Sequence, residues 1–200
     1  MENTIKYSLL VYLIVNFTLT FWWPSYRVWK KTGIFPITFS NRDDAHDYIG
    51  KVFRLLLAAL LMMGGIYVFY QPGIKYLLPI WYLDISWLKI SGMCLLFIAL
   101  IWISISQYQM GSSWRIGIDN QHKTALVTTG VFALSRNPIF LGMICSLMGL
   151  FLVIPNAVTL TVWICGMITI SIQVRLEETF LTGWHGADYK NYCARVRRWL

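Results

Sequence analysis

Charged side chains are scarce in this chain of 200 residues. Only 13% of the residues are charged, whereas 57% are apolar and the mean hydropathy is +0.56. Soluble domains carry about 25% charged residues, so a water-soluble globule of this size would lack the charge needed to cover its surface. With only 14 glycines and many Leu, Ile and aromatic residues, the chain is also unlike disordered, collagen-like and low-complexity proteins. The composition therefore predicts an integral membrane protein.

Cysteine is also sparse, and its four positions do not form a paired motif. Cys94, Cys145 and Cys165 lie inside apolar runs, Cys193 lies near the end of the chain, and no two of them make a CxxC pair. This pattern disfavours a disulfide framework and a thiolate metal site. We expect these cysteines to act as small buried hydrophobic residues.

Acidic residues are fewer than basic ones, with 9 Asp and Glu against 17 Lys and Arg, for a net charge of +8. In a soluble protein such an excess points to nucleic acid. Here the basic residues lie between apolar runs, where they indicate membrane topology and contact with anionic lipid headgroups. We therefore expect membrane lipids as partners, and no nucleic acid.

Five apolar runs dominate the chain, at 5–23, 52–70, 87–105, 139–154 and 157–174. A helix needs about 20 residues to cross a bilayer core of ~30 Å, and the first three runs meet this length. Trp22, Trp23 and Pro24 end the first run and do not resemble a signal-peptide cleavage site, so we expect a retained transmembrane helix. The last two runs are separated only by Pro155 and Asn156, a tight turn signal.

These runs predict an all-α integral membrane protein with about five transmembrane helices, the last two forming a tight helical hairpin. The fourth run is short, and we expect the hairpin to cross the membrane at a slant or to lie partly within it. We find no internal repeat and predict a single membrane domain over 1–200, with three transmembrane helices in 1–105 and a cytoplasmic loop at 24–51.

Most basic residues fall in three segments, the loops 24–51 and 106–138 and the tail after 174. The positive-inside rule then puts the amino terminus outside and the carboxyl terminus in the cytoplasm, at the inner membrane if the protein is bacterial.

Two polar clusters flank the predicted hairpin. Arg136 precedes the fourth run, where Pro138 fits the first turn of a helix, and Glu177 and Glu178 follow the fifth run. The hairpin should bring Arg136 to the two acids at its open end, and ionisable groups near a bilayer indicate function. Alternatively, Arg136 snorkels at a helix end, and Arg175 and Glu178 form a surface pair worth about 0–1 kcal/mol.

Two further segments have alternative interpretations. Tyr189, Tyr192 and Val196 share one face of an amphipathic C-terminal helix, which in the simplest interpretation is a membrane-surface anchor. Asp and His at 43–47 could bind a metal, but a helix capped by Asn41 with acids in its first turn explains them more simply. We expect no metal site there; the cluster comprises Asp43, Asp44, His46 and Asp47.

The order of motifs in residues 106–200 resembles that of a group of integral membrane enzymes, the isoprenylcysteine carboxyl methyltransferases and phospholipid methyltransferases. The motifs that carry this resemblance are Gly130, Arg136, Pro138, Phe140 and Gly142, then the hydrophobic hairpin, then Glu177, Glu178, Phe180 and Leu181, and finally Gly186, Tyr189, Tyr192, Val196, Arg198 and Trp199. The resemblance implies methyl transfer from S-adenosyl-L-methionine to a lipophilic acceptor, with 106–200 as the cofactor-binding region.

The resemblance also implies the site residues. Cofactor binding is expected from Arg136, Asn137, Pro138, Phe140, Glu177, Glu178 and Tyr189, and the candidate catalytic residues are Arg136 and Arg175. The chain departs from the family pattern at two positions, where Asn137 replaces the family's His and Phe140 replaces its Tyr. Asparagine donates and accepts hydrogen bonds but cannot act as a base, so the position serves cofactor binding only or the chemistry is altered.

The sequence does not decide between three methyl acceptors: a prenylated cysteine carboxylate, a phospholipid amine, and a small hydrophobic thiol or acid. Two other functions also stay open. One is an NADPH-dependent membrane reductase of the sterol-reductase type, whose motif has Glu where this chain has Met143 after Gly142. The other is a non-enzymatic membrane scaffold, which would leave the paired acids unexplained.

Overall fold

The computed structural model describes residues 2–37, 44–117 and 124–200, and these residues are helical apart from short connections. The expected all-α integral membrane architecture is confirmed. The α-helices of the described residues are α1 Glu2–Phe17, α2 Trp23–Thr32, α3 Ala45–Phe69, α4 Ser86–Met110, α5 Pro138–Val153, α6 Ala157–His185 and α7 Ala187–Arg195, and the 3₁₀ turns are Gln71–Leu77, Trp81–Leu83, Gly111–Ser113 and Gly130–Ala133.

The membrane-spanning elements follow the predicted apolar runs. Within the described parts, four helices are long and apolar enough to cross a membrane, at Asn3–Thr32, Ala45–Phe69, Ser86–Ser113 and Ala157–His185. The fifth apolar helix, α5, is shorter. Its 16 residues span about 24 Å at ~1.5 Å per residue, less than the ~30 Å of a bilayer core.

The first span passes through Pro24 instead of ending there. A π-helical turn, Thr18–Trp22, joins α1 to α2, and the helix continues to Thr32. Pro24 has no N–H to offer the Thr20 carbonyl; this carbonyl instead accepts a hydrogen bond from Nε2 of Gln107 in α4, at 2.9 Å. The loop expected at 24–51 is therefore shorter, because residues 24–32 are helical.

Helix α3 begins with an acidic cap. The Asp44 carboxylate accepts a hydrogen bond from the Asp47 backbone N–H at 2.8 Å, so the observed cap is Asp44. The expected cap, Asn41, and the neighbouring Asp43 lie outside the described residues. Asp44, His46 and Asp47 lie close together, and the helix cap accounts for the position of the acids.

Helices α5 and α6 form the predicted hairpin. Asn156 caps α6 in a reciprocal arrangement: its side chain accepts from Thr159 N at 2.9 Å, and its backbone N–H donates to Thr159 Oγ1 at 3.3 Å. Helix α6 continues beyond the expected end at 174 to His185. Glu177 and Glu178 therefore lie on this helix, not in a segment that follows it.

Close packing between α4 and α5 holds the closed end of the hairpin, near its turn, against α4. A Cβ atom added to Gly92 would lie 2.7 Å from the Gly149 carbonyl oxygen, so only glycine permits this approach. At the open end of the hairpin, Ile116 N donates to the Pro36 carbonyl at 2.8 Å. The segments that follow α2 and α4 thus meet at one end of the bundle. Which membrane surface this end faces stays a prediction.

Candidate functional site

An ion cluster lies at the open end of the α5–α6 hairpin. Glu178 of α6 pairs with Arg136, just before α5, at 3.1 Å between Nη2 and Oε1. It also pairs with Arg198, after α7, at 2.7 Å between Nη2 and Oε2. The side chains of Arg136 and Glu178 are only 12% and 13% exposed. The expected meeting of Arg136 with the paired acids therefore occurs, and Glu178 is the acid that it contacts.

Local turn chemistry places Arg136 at this point. Pro138 starts α5, and the Ser135 hydroxyl accepts a hydrogen bond from the Asn137 backbone N–H at 3.2 Å. Upstream, Gly130 has a φ of +64°, which favours glycine. Gln109 of α4 packs against Gly130, and its side-chain oxygen accepts from Val131 N at 2.9 Å. The segment before α5 is thus attached to α4.

The tail after α7 runs beside the same segment. Arg136 N donates to the Arg197 carbonyl at 3.0 Å, and the Ser135 hydroxyl donates to the Arg198 carbonyl at 3.3 Å. The Asn137 amide nitrogen donates to the same Arg198 carbonyl at 3.2 Å and to Glu178 Oε1 at 3.3 Å. Asn137 is therefore a hydrogen-bond donor that joins the tail to the ion cluster.

The aromatic face of α7 packs on protein. Tyr189 and Tyr192 are 2% and 3% exposed, and the Tyr192 hydroxyl donates to the Phe132 carbonyl at 2.6 Å. Burial raises the pKa of Tyr192 to about 12. Burial and the charge of Glu178 also raise the pKa of Tyr189, so both hydroxyls are protonated at neutral pH. The amphipathic helix is confirmed for Tyr189 and Tyr192, but it ends at Arg195, so Val196 is extended and not part of the helical face. The apolar face contributes to the site, whereas a simple surface anchor would leave that face to the lipid.

A pocket that is open to solvent adjoins the ion cluster. Its lining includes all but one of the residues expected to bind the cofactor, namely Arg136, Asn137, Pro138, Phe140, Glu177 and Tyr189. Glu178 is the exception and is not a lining residue. The remaining lining residues are Met110, Ser113, Thr124, Ala125, Leu126, Val127, Phe132, Ile139, Leu181 and Tyr192.

The two neighbouring acids have different surroundings. Glu177 lines the pocket, and its Oε1 accepts a hydrogen bond from Gln173 Nε2 at 2.8 Å, one turn earlier on α6. Within the described structure, two buried polar atoms next to the pocket-lining residues have no hydrogen-bond partner: Nε of Arg136 and Oε1 of Gln173. Such atoms need an explanation, and of these two residues Arg136 lines the pocket whereas Gln173 does not.

Arg175, the second residue expected to be catalytic, lies elsewhere. Its side chain is exposed on α6, donates to the Ser171 carbonyl at 2.7 Å and does not line the pocket. Glu178 pairs with Arg136 and Arg198, not with Arg175. Sequence reasoning missed the pairing of Arg198 with Glu178; the only signal was the place of Arg198 in the ordered motif.

We expect Asn137→Leu to destabilise the protein and Asn137→His to preserve much of its stability. Leucine would remove the donor shared by Glu178 and the Arg198 carbonyl, at a cost of about 1–3 kcal/mol, whereas a histidine ring nitrogen could still donate one of these bonds. Thermal unfolding in detergent would measure the difference. Asn191→Leu, at an exposed position of α7, is the control, and equal melting temperatures for the two leucine variants would contradict the expected role.

A family model described as phospholipid methyltransferase matches residues 87–188, just over half of the chain, from the start of α4 into α7. The matched region contains Arg136, Asn137, Glu177 and Glu178 and ends just before Tyr189. A search of curated proteins finds no match.

Proposed function

Because the chain belongs to the phospholipid methyltransferase family of membrane methyltransferases, we propose that it transfers a methyl group from S-adenosylmethionine to a lipophilic acceptor at the membrane–cytoplasm interface. The observation that carries this proposal is the pocket, whose lining includes most of the residues implied by the family resemblance, among them Arg136 and Glu177. The acceptor class is an isoprenylcysteine-like carboxylate or a phospholipid amine.

The chemistry of the pocket suits this cofactor. A guanidinium such as that of Arg136 is a good partner for the cofactor's carboxylate, and its Nε is buried without a partner in the described structure. The Glu177 carboxylate can accept hydrogen bonds from ribose hydroxyls or an amino group. Phe140 and Tyr189 provide aromatic walls for a purine ring.

When bound, S-adenosylmethionine would supply a methyl group activated by its sulfonium sulfur for in-line displacement. The side chains then need to orient the reactants and exclude water, which is worth several kcal/mol of the barrier. The segment 136–140, α6 and α7 contribute side chains to the pocket lining, and the ion pair with Glu178 holds Arg136 there. Asn137 cannot act as a base. Among the described lining residues, Glu177 is the carboxylate in position to accept a proton from an amine acceptor.

The shortness of α5 favours a lipophilic acceptor. The helix spans about 24 Å, less than a ~30 Å hydrocarbon core, so it cannot carry both of its ends beyond that core. Pro138, Ile139 and Phe140 of its first turn line the pocket. A lipid acceptor could therefore present its reactive group to the pocket while its hydrocarbon chain stays in the bilayer.

We extend the proposal to organisation and topology. Residues 1–200 form a single membrane domain in which 106–200 binds the cofactor. The pocket end faces the cytoplasm and the amino terminus lies outside, because the loops and tail at the pocket end carry most of the lysine and arginine.

We expect the purified protein in detergent to bind S-adenosylmethionine and S-adenosylhomocysteine, and not NADPH. Titration calorimetry would measure the three affinities on one preparation. Arg195→Lys is the control variant, because Arg195 is exposed on α7 and its Nε donates to the Asn191 carbonyl on the same helix. Binding of NADPH without S-adenosylmethionine would favour the reductase alternative, and binding of none of the three ligands would favour the scaffold.

A further inference from the structure

The two neighbouring acids of α6 have different roles in the geometry. Glu177 lines the pocket and accepts one hydrogen bond from Gln173 on its own helix. Glu178 does not line the pocket and is surrounded by donors from two other segments of the chain, Arg136 and Asn137 before α5 and Arg198 after α7. Glu177 is thus available to a ligand, while Glu178 is occupied by the protein.

We infer that Arg198 is a positioning residue of the cofactor site: it holds Glu178, and Glu178 in turn fixes Arg136 and Asn137 at the wall of the pocket. This inference rests on the proposed function. It adds the tail of the chain, which lies beyond the family match at 87–188, to the functional site.

The contacts of Arg198 cover both oxygens of the Glu178 carboxylate. Its Nε lies 3.2 Å from Oε1 and 3.1 Å from Oε2, and its Nη2 lies 2.7 Å from Oε2. A fork of this kind fixes the plane of the carboxylate. Oε1 also lies 3.1 Å from Arg136 Nη2 and 3.3 Å from Asn137 Nδ2, so it is shared among donors of all three residues.

The side chain of Arg198 is not what docks the tail. The backbone carbonyls of Arg197 and Arg198 accept hydrogen bonds from Arg136 N, the Ser135 hydroxyl and the Asn137 amide. These bonds do not involve the Arg198 side chain, which is 36% exposed, so we expect them to survive its truncation. Truncation would instead free Glu178 to turn further toward Arg136 and Asn137, which would draw the guanidinium away from the ligand.

The test is a double-mutant cycle on the dissociation constant for S-adenosylmethionine, measured by calorimetry, with melting temperatures recorded in parallel. We expect Arg198→Ala to weaken binding about tenfold and Arg198→Lys to weaken it less, since lysine keeps the charge but not the fork. In a Glu178→Gln background, Arg198→Ala should have little further effect, because the carboxylate through which it acts is gone. Arg195→Ala is the matched control and should bind as the wild type does.

A purely structural role of Arg198 would change the melting temperature and leave the dissociation constant unchanged, or would give effects that add in the double variant. Either result overturns the inference and leaves the proposed function standing. Failure of the wild-type protein to bind S-adenosylmethionine would overturn both.

Discussion

Replacing Glu178 with alanine is expected to abolish cofactor binding and to lower the stability of the fold. The change leaves Arg136 and Arg198 facing each other without the carboxylate that separates them. Removing one partner of a buried ion pair costs about 3–5 kcal/mol, and the Arg136–Glu178 pair is mostly buried, at 12% and 13% exposure. The free energy of unfolding in detergent and the dissociation constant for S-adenosylmethionine would measure the two effects.

Asp188→Ala is the matched control for this change. Asp188 is an exposed acid in the first turn of α7, at the same end of the bundle. Its replacement should lower the free energy of unfolding much less than replacement of Glu178 does. If both alanine variants unfold and bind alike, Glu178 is an ordinary surface residue and the site is misplaced.

Replacing Arg136 with lysine is expected to weaken cofactor binding by about 30- to 100-fold, the equivalent of one or two charged hydrogen bonds. The guanidinium contacts Glu178 through Nη2 at 3.1 Å and the Cys193 carbonyl through Nη1 at 3.4 Å, while its Nε is buried with no partner in the described residues. A single ammonium cannot reproduce a planar fork that reaches the protein and a ligand carboxylate together.

Arg195→Lys makes the same chemical change at an exposed position of α7 and should bind as the wild type does. The measurement is calorimetric titration of both variants with S-adenosylmethionine. Wild-type affinity in Arg136→Lys would mean that Arg136 only extends to the membrane interface from a helix end, since lysine reaches that interface equally well.

The features that the sequence predicts well depend on neighbours in the chain. Apolar length identifies the spans, and Pro155 with Asn156 marks the hairpin turn because both residues disfavour an uninterrupted helix. The hairpin then makes Arg136 and Glu178 neighbours in space. Their meeting could therefore be predicted without any knowledge of other long-range contacts.

The features that the sequence does not predict depend on distant partners. The first helix continues through Pro24 because Gln107, 87 residues later, satisfies the Thr20 carbonyl. Arg198 reaches Glu178 because the tail folds back over the segment before α5. Neither contact has a local pattern from which it could be read.

The exposure of Arg175 is a further feature that the sequence does not predict. Arg175 lies three residues before Glu178, and three residues correspond to about 300° around a helix, which leaves the two side chains about 60° apart. Polar and apolar residues are interspersed in this part of α6, so its sequence does not reveal where the buried face ends. Packing decides the matter, and it leaves Arg175 exposed with its guanidinium on the Ser171 carbonyl.

The central claim, a cofactor-dependent methyltransferase that acts on a lipid, is tested most directly by methyl transfer itself. Purified protein would be incubated with methyl-labelled S-adenosylmethionine and a total lipid extract, and the organic phase analysed for label and by mass spectrometry. We predict labelled products one methyl group heavier than their parent lipids with the wild-type protein and Arg195→Lys, and strongly reduced label with Arg136→Lys. Unlabelled lipids from folded wild-type protein, or equal labelling by Arg136→Lys, would contradict this account.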